Sequence, residues 1–435
     1  MSLPTPDSGA TMHGWARDLF PIPRSLTGPG VRETLAYLHR LLPGLTVQSI
    51  PSGTPVLDWI VPEEWTLRDA YVADEAGTRL IDTRAHTLHI VGYSLPVDEW
   101  MTCAELDAHL HSLPERPDAI PYVTAYYART WGFCVTETQR AALRATPERR
   151  LRVVIDATRA PGVLNWGELV IPGESDRELL LSTYICHPSM ANNELSGPVV
   201  TTAAARWLAA LPRLPLTVRV VFVPETIGAI AVLSRHLAHL RARLAAGYVV
   251  TCIGDERATS YLPSRAGDTL ADRAALHALS HVAPGFHRYS WLDRGSDERQ
   301  YCAPHVDLPV ASIMRSKYAT YPEYHTSDDD LSLVTPAGLE GGLEALLAAL
   351  RTILANGTPE VTVAGEPQLG RRGLYPTVST RGSGLAVREM MNLISYADGS
   401  RDLIAIGELI GAPVWRLRET VDRLVEAGLI RFTQG

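Results

Sequence analysis

Runs of apolar residues alternate with amphipathic stretches through the middle of the chain. Residues 179–186 have the continuous apolar character of a buried strand, and residues 199–208 have the pattern of a helix that follows it. The same order recurs as an apolar strand over 218–223, a helix over 227–239 and another apolar strand over 247–253. Strands that alternate with helices predict a parallel α/β sheet with helices on both faces.

The two segments that precede this core have other patterns. Residues 1–50 carry helical periodicity broken by turns, which predicts paired helices. Residues 55–165 consist of short strand-like runs separated by turn signals, which predict a β-rich insertion. We therefore expect a discontinuous α/β domain of residues 1–55 and 165–357, and a β-rich inserted domain of residues 56–164.

The C-terminal region is polar at first and then helical. Residues 358–383 contain Gly, Pro and polar residues, which predict a linker. Three short amphipathic helices follow, near 387–396, 401–410 and 413–427, and a last apolar segment covers 429–432. This order is the outline of a winged helix-turn-helix module, so we expect a winged helix-like domain over residues 384–435.

Composition and charge narrow the class of protein. The chain has 435 residues, of which 46% are hydrophobic and 20% charged, and its formal net charge is −8. Such a composition is typical of a soluble globular protein of two or three domains. The whole chain lacks the excess positive charge that non-specific nucleic-acid binding needs.

The cysteines and the N-terminus bear on the cellular compartment. The five cysteines are an odd number, are widely spaced and include no Cys-x-x-Cys pair, which favours a reducing compartment. The N-terminus has no basic segment followed by an apolar run, and no stretch reaches about 18 uninterrupted apolar residues. We expect a cytoplasmic protein that neither spans a membrane nor carries a standard secretion signal.

Ionisable residues follow the apolar strands where an open parallel sheet binds its ligands. Three consecutive strands run into His187, Glu225 and Asp255, and a fourth apolar run over 308–314 leads to a loop with His325. Two histidines with carboxylates on one rim indicate a zinc hydrolase. Each residue also has an ordinary alternative role, because a lone histidine is often structural and either acid could cap a helix.

Seven segments of the chain carry a resemblance to a known family: 62–65, 91–94, 131–134, 186–198, 224–228, 295–301 and 321–327. They resemble a bacterial family of uncharacterised aminopeptidase-like proteins in the clan of co-catalytic zinc aminopeptidases. The resemblance covers nearly the whole chain. It implies a zinc-aminopeptidase-like, mostly parallel sheet with helices on both faces, a β-rich inserted domain and a C-terminal winged helix-like domain.

The resemblance also implies roles for individual residues. His187 and His325 match histidine ligands, Asp255 lies where a further carboxylate ligand is expected, and Glu225 matches the general base. In the clan the two histidines serve different metals, so a single ion would have to lie between their positions. With that ion bound, Glu225 would take a proton from a zinc-bound water that attacks an amide carbonyl.

Two ligands of the clan are replaced in this chain. The bridging aspartate falls on Asn193, and the glutamate ligand that follows the base falls on Thr226. Neutral oxygens are poor substitutes for carboxylates in holding two dications, so a two-zinc centre is not expected. We predict one zinc ion per chain, held by His187, Asp255 and His325, with Glu194 as a substitute donor if the loop shifts by one residue.

Three more residues are candidates for substrate binding. Arg299 could donate to a carboxylate, Asp297 could receive a free α-amine together with its neighbour Glu298, and Tyr324 could donate to an oxyanion. The alternative for the charged residues is an ion-pair network, and the alternative for Tyr324 is packing.

Three functions remain open on the sequence. The first is a metal-dependent hydrolase of a peptide or small amide, of aminopeptidase type, although cyclisation or acyl transfer stays open because glutaminyl cyclases share the clan's fold. The second is a non-catalytic binding protein for a small molecule or peptide on an aminopeptidase fold. The third is a transcriptional regulator, which the C-terminal module disfavours because residues 387–432 hold six arginines and seven acidic residues. The expected partner is a small peptide or amide substrate. We expect no binding to nucleic acid or to a membrane. The sequence leaves open whether the chain forms a homo-oligomer.

Overall fold

A mixed eight-stranded sheet organises most of the chain. In a computed structural model, residues 3–374 and 381–434 are described. The helices are α1 (Gly9–Leu19), α2 (Pro29–Leu41), α3 (Cys103–Asp107), α4 (Glu137–Arg144), α5 (Ser196–Ala209), α6 (Ile227–Arg243), α7 (Leu270–Val282), α8 (Glu298–Tyr301), α9 (Pro336–Ala355), α10 (Arg381–Tyr396), α11 (Leu403–Ile410) and α12 (Val414–Glu426).

The strands divide among this large sheet and several small ones. They are β1 (Thr46–Pro51), β2 (Pro55–Val56), β3 (Trp59–Ile60), β4 (Glu64–Ala73), β5 (Arg79–Asp82), β6 (Val97–Thr102), β7 (Leu110–His111), β8 (Phe133–Cys134), β9 (Arg150–Ala160), β10 (Val163–Ile171), β11 (Ser175–Tyr184), β12 (Leu216–Val223), β13 (Leu244–Val250), β14 (Ser260–Leu262), β15 (His287–Arg288), β16 (Val310–Met314), β17 (Gly357–Val361) and β18 (Ile430–Gln434).

The large sheet is parallel at its centre and antiparallel toward its edges. Its order is β1-β10-β12-β11-β13-β16-β14-β15. The pairs β12–β11, β11–β13 and β13–β16 are parallel, whereas β1, β10 and β14 join by antiparallel pairing. The predicted α/β class is confirmed, and the antiparallel edges make the sheet mixed.

Neighbouring residues of the central strands pack into different cores, which explains why these strands are apolar throughout. Leu179 and Leu181 of β11 lie in the core formed with α1, α5, α7 and α9, while Leu180 lies in the core formed with α6 and the inserted segment. Side chains alternate between the faces of a strand, so a strand buried on both faces shows no polar alternation. The helices therefore cover both faces, as the sequence predicts.

A π-helical turn at Ala191–Leu195 joins β11 to α5 and sets the position of the residues after β11. The start of α5 lies against the ends of the central strands, because a Cβ on Gly197 would meet Thr183 Oγ1 at 2.4 Å and the Val250 carbonyl oxygen at 2.5 Å. A single extra residue per turn inside a helix is uncommon and often occurs at functional sites.

The predicted β-rich insertion contains a separate four-stranded sheet with the order β5-β4-β9-β6. Its far end reaches the main α/β unit. Tyr122 N donates to the His325 carbonyl at 2.9 Å, and Ser327 N donates to the Ile120 carbonyl at 2.9 Å. The insertion thus contacts the loop that carries His325, while the predicted domain bounds remain a prediction.

The C-terminal region contains the three predicted helices, but the predicted linker over 358–383 is wrong at both ends, since residues 381–383 belong to α10. Residues 357–361 form β17, which pairs with β18 in antiparallel fashion. Pro359 and its polar neighbours are not typical of a strand, and the strand that pairs with β17 lies about seventy residues further along the chain. The part of the linker over residues 375–380 lies outside the described residues.

The winged helix region packs on the α/β unit through α7 and α9. The backbone N–H of Val414, at the start of α12, donates to His277 Nε2 at 3.1 Å. Burial lowers the pKa of His277 to about 4, which keeps this nitrogen an acceptor. Within the described chain, no helix has the length and apolar character needed to cross a bilayer.

Candidate functional site

The side chains predicted from the strand ends lie at one edge of the sheet. His187 follows β11, Glu225 follows β12 and Asp255 follows β13, and these three strands run parallel. The carboxyl ends of parallel strands form the edge where such sheets bind ligands. His325 reaches the same edge from the loop after β16.

His187 is held in one orientation by Glu194 on the π-helical turn. Its Nδ1 lies 2.8 Å from Glu194 Oε2, and the other carboxylate oxygen lies 3.6 Å from Nε of the buried Arg24. Burial raises the pKa of Glu194 and Arg24 opposes that rise. We assign the shared proton to His187 Nδ1 because the guanidinium favours the carboxylate form. His187 Nε2 is then a free acceptor, 3.6 Å from Glu225 Oε2.

His325 lies beside His187. The two rings are 5.7 Å apart between centroids, and Tyr324 stacks on His325 at 3.9 Å. No hydrogen bond joins the His325 ring to any residue that the structure describes. Burial lowers the pKa of both histidines to about 3, so both imidazoles are neutral near pH 7, which is the form that binds a metal.

Glu225 is positioned by the backbone around it. Its N–H donates to Cys186 Sγ at 3.2 Å, and its Oε1 accepts from Ser296 Oγ at 3.3 Å. Burial raises the pKa of Glu225 to about 7, although the Arg299 guanidinium opposes the rise. The carboxyl group therefore sits in an environment that suits a base working near neutral pH.

The residue after Glu225 adopts a strained conformation. Thr226 has φ 65° and ψ −75°, and Ile227 N donates to the Glu225 carbonyl at 2.8 Å across it. This is a γ-turn of the positive-φ type, which is rare and especially unfavourable for a β-branched residue. Strain of this kind persists only where the surroundings hold it, and it is common at functional sites.

Two of the predicted substrate-binding residues hold this turn. Thr226 N donates to Asp297 Oδ1 at 2.7 Å, and Arg299 Nη2 donates to Thr226 Oγ1 at 3.0 Å. Asp297 is fully buried beneath the turn. We therefore do not retain Asp297 as a residue that contacts substrate, because its carboxylate does not reach the cavity wall.

Asp255 does not join the two histidines, and this corrects the predicted metal shell. Its Oδ1 accepts from Arg257 N and Ser316 Oγ, each at 2.8 Å, and its Oδ2 accepts from Ser316 N at 2.8 Å and Asn192 Nδ2 at 3.1 Å. Four hydrogen bonds occupy the lone pairs of a carboxylate. Asp255 therefore stabilises the loops around the site in this structure.

Asn193 and Thr226, which stand where the clan has carboxylate ligands, also make hydrogen bonds to protein groups. Asn193 Oδ1 accepts from Tyr184 Oη at 3.1 Å, while Asn193 Nδ2 is buried without a described partner. Asp329 accepts the backbone N–H of Asn193 at 2.9 Å, which ties the π-helical turn to the loop after His325. Neither Asn193 nor Thr226 presents a carboxylate, so a second dication has no anionic ligand at these positions.

The donor types on the Nε2 side of His187 suit a single zinc ion, but among the described residues no three donors on that side lie within 4.8 Å of one another. A metal-binding histidine typically donates its other ring N–H to a carboxylate, as His187 does to Glu194. Neutral imidazole and carboxylate donors suit Zn²⁺. The opposite side offers Cys186, His187 Nδ1 and Glu194 within 4.8 Å, but burial keeps the Cys186 thiol protonated and Arg24 places a cation beside Glu194.

Some residues of the site were not predicted from the sequence. Arg24, from the loop between α1 and α2, supports Glu194, and Tyr122 of the insertion lies 5.1 Å from the His187 ring and 5.2 Å from the His325 ring. Cys186 accepts the Glu225 N–H. No local motif marks these residues, since each arrives through contacts between distant segments. Tyr324 as an oxyanion donor stays a prediction.

Comparisons with known proteins identify the family of this chain. Residues 13–356 match the family described as "Domain of unknown function (DUF4910)". The chain belongs to this family. In this DUF4910 protein, residues 358–432 also match a winged helix-turn-helix family, which confirms the predicted C-terminal module.

Relatives of this DUF4910 protein point to a peptidase fold. A Clostridium acetobutylicum protein is 37% identical over 429 residues, which are 98% of this chain and 97% of the relative. It is provisionally named for polysaccharide biosynthesis and for an aminopeptidase-like domain. A crystal structure from the same organism, provisionally named a peptidase, is 36% identical, covers 98% of this chain and 96% of its own, and has a TM-score of 0.91.

The fold is also that of zinc aminopeptidases. A zinc aminopeptidase from Bacillus subtilis is 13% identical, with a TM-score of 0.57 over 80% of this chain and 95% of its own. A similarity at this identity shows the fold alone. The predicted resemblance to aminopeptidase-like proteins is confirmed, and the chain is a protein of peptidase fold with a C-terminal winged helix.

Proposed function

We propose that this protein is a zinc-dependent hydrolase of a peptide or small amide, of aminopeptidase type. The orientation of His187 carries the proposal. Glu194 occupies Nδ1 at 2.8 Å, so Nε2 faces the edge of the sheet where His325 and Glu225 lie. A purely structural role for His187 would not require that its Nε2 stay without a hydrogen bond beside the His325 ring and the Glu225 carboxyl group.

His187 and His325 are the proposed metal ligands. Bound zinc would supply Lewis-acid chemistry, polarising an amide carbonyl and making a water molecule more acidic. Glu194 orients His187 from behind and is not itself a ligand in this proposal. We leave Asp255 out, because hydrogen bonds already occupy its carboxylate.

Glu225 is the proposed base. Its Oε2 would accept a proton from water and later pass it to the leaving amine. The strained turn at Thr226 and the hydrogen bond from Ser296 fix where this carboxyl group points. Exclusion of bulk water by burial raises its pKa toward 7, which allows both acceptance and release of a proton.

The test is the zinc content of the purified protein and of three variants. We expect about one zinc per chain in the wild type. It should be lost in His187→Ala and in His325→Ala and kept in His287→Ala, a matched control because His287 is exposed on β15. Thermal unfolding should show that all three variants fold. Absence of bound zinc from the wild type after incubation with zinc would contradict the proposal.

Turnover provides the second half of the test. Glu225→Gln should keep its zinc and lose hydrolysis of amide substrates that the wild type cleaves. Loss of zinc in Glu225→Gln would instead make Glu225 a ligand and overturn its role as base.

A binding protein without catalysis is the second candidate, and one observation favours it. The carboxylate at the third strand end, Asp255, is fully engaged by protein donors, and the replaced position Asn193 turns toward Tyr184. A protein that binds zinc and amides but cleaves none of them would support this second function.

A further inference from the structure

A cavity of about 350 Å³ lies over the edge that carries the two histidines. One of its walls comes from the inserted segment and is aromatic. Trp59 of the β2–β3 hairpin meets Tyr127 edge-on at 5.9 Å, and Tyr127 Oη donates to the Ile60 carbonyl at 2.9 Å. The described lining consists of Leu26, Trp59, Tyr122, Thr124, Tyr126, Tyr127, Cys186, His187, Glu225, Thr226, Ile227, Arg299 and His325.

Arg299, in α8, supplies the permanent positive charge of the cavity lining. No other arginine or lysine lines the cavity among the described residues, and Glu225 is its one carboxylate there. Arg299 Nη2 is held by the neutral Thr226 hydroxyl at 3.0 Å. Within the described ranges no ion pair engages this guanidinium, and Arg299 is an exposed residue of the cavity lining.

The acids next to Arg299 are not available to a substrate amine. Asp297 and Glu298 are both fully buried and neither lines the cavity. Glu298 Oε1 accepts three hydrogen bonds, from Gly295 N at 2.9 Å, Ser296 N at 3.0 Å and Tyr318 Oη at 2.6 Å. Asp297 Oδ2 and Glu298 Oε2 have no described partner, but both are buried away from the cavity. In the described lining an α-ammonium group therefore meets one carboxylate, Glu225, which the proposed reaction needs as its base.

We infer that this cavity selects amides with a carboxylate next to the scissile bond, bound by Arg299, rather than amides next to a free amine. The inference rests on the proposed function and narrows its substrate to N-acyl amino acids with an apolar side chain. Guanidinium pairs with carboxylate through two parallel hydrogen bonds, and the Trp59–Tyr127 wall offers apolar surface to the side chain. Hydrolysis would break the amide C–N bond, with the water's hydroxyl going to the acyl carbon and its proton to the nitrogen.

The experiment is calorimetric titration of the full chain, with and without added zinc, with three probes. N-acetyl-L-phenylalanine carries the carboxylate, N-acetyl-L-phenylalaninamide removes that charge, and L-phenylalaninamide has a free amine. We expect the first to bind at least about tenfold more tightly than the other two, as a charged hydrogen-bonded pair usually gives. Arg299→Gln should remove the preference. Arg294→Gln should keep it, because Arg294 stacks on Trp291 outside the cavity lining.

Each contrary outcome overturns the inference. These outcomes are tighter binding of L-phenylalaninamide, an unchanged preference in Arg299→Gln, or no binding of any probe. The proposed hydrolysis is judged separately, by release of phenylalanine. Selective binding of N-acetyl-L-phenylalanine without its cleavage would preserve the inference and contradict hydrolysis. Cleavage of L-phenylalaninamide alone would preserve hydrolysis and overturn the inference.

Discussion

A cluster of glutamate and histidine side chains lies near each end of strands β11 and β12, and the two clusters differ in their hydrogen bonding. Near the start of the strands, Arg219 donates to both oxygens of Glu178, at 2.8 and 2.9 Å, and also to Glu168. His239 adds a 2.6 Å contact to Glu178. We call these four residues the paired cluster, and their composition is close to that of the site at the other end.

In the site cluster of His187, Glu194 and Glu225, not every buried polar atom has a hydrogen-bond partner. Glu194 Oε1 is buried without a hydrogen-bond partner, whereas no buried atom of the paired cluster lacks one in the described ranges. The backbone beside the site cluster is strained at Thr226, with φ 65°. Unsatisfied polar atoms and strain are costly, so their concentration at one end of the same strands indicates function there. Glutamate and histidine content alone does not distinguish the two ends.

The largest predicted effect is on stability, at the paired cluster. Arg219→Ala should lower the free energy of unfolding by about 3–5 kcal/mol, because it leaves two buried carboxylates without their cation. Zinc content should not change. Urea denaturation measures the loss, and Arg213→Ala is the control, since Arg213 pairs with Glu174 in an exposed position. A loss equal to that of the control would show that the paired cluster does not stabilise the fold.

The next effect is on zinc affinity, at the site cluster. Glu194→Gln should weaken zinc binding about 10–100-fold, because the carboxylate orients His187 and increases its basicity. Competition with a chelator measures the affinity. Glu178→Gln makes the same chemical change at the other end of β11 and should leave the affinity unaltered. Equal weakening in the two variants would contradict the distinction between the clusters.

The smallest effect is at the strained turn. Thr226→Gly should raise the free energy of unfolding by about 1 kcal/mol, because the relief of the steric cost that threonine bears at positive φ exceeds the loss of the exposed hydrogen bond from Arg299. Thr217→Gly, in β12, should lower it by at least a similar amount, since Thr217 has ordinary strand geometry and its hydroxyl accepts from Gly173 N and donates to the Ser175 carbonyl. Thermal unfolding compares the two. A loss of stability in Thr226→Gly as large as that in Thr217→Gly would show that Thr226 is not strained.

Much of the arrangement follows from sequence patterns that are local. The apolar runs before His187 and Glu225 are long enough to be buried strands, and the residue after such a strand lies at the ligand-binding edge. The positions of His187 and Glu225 were therefore predictable. The predicted position of Asp255 was also right, but the four donors that engage it come from three separate segments and leave no local signal.

The features that could not be predicted depend on backbone geometry or distant contacts. The π-helical turn directs Asn192 toward Asp255, Asn193 toward Tyr184 and Glu194 toward His187, and the sequence does not reveal that register. The turn at Thr226 contradicts the preference of β-branched residues for negative φ. Tyr122 reaches the histidines only because the insertion folds back on the loop of His325.

The most direct test of the account is anomalous diffraction at the zinc edge from crystals of the full chain grown with zinc. The account predicts one strong peak beside His187 Nε2 and the His325 ring, and none beside Glu178 and His239 of the paired cluster. A peak at the paired cluster, or no peak at His187, would contradict the claim that the free side of His187 is a metal site.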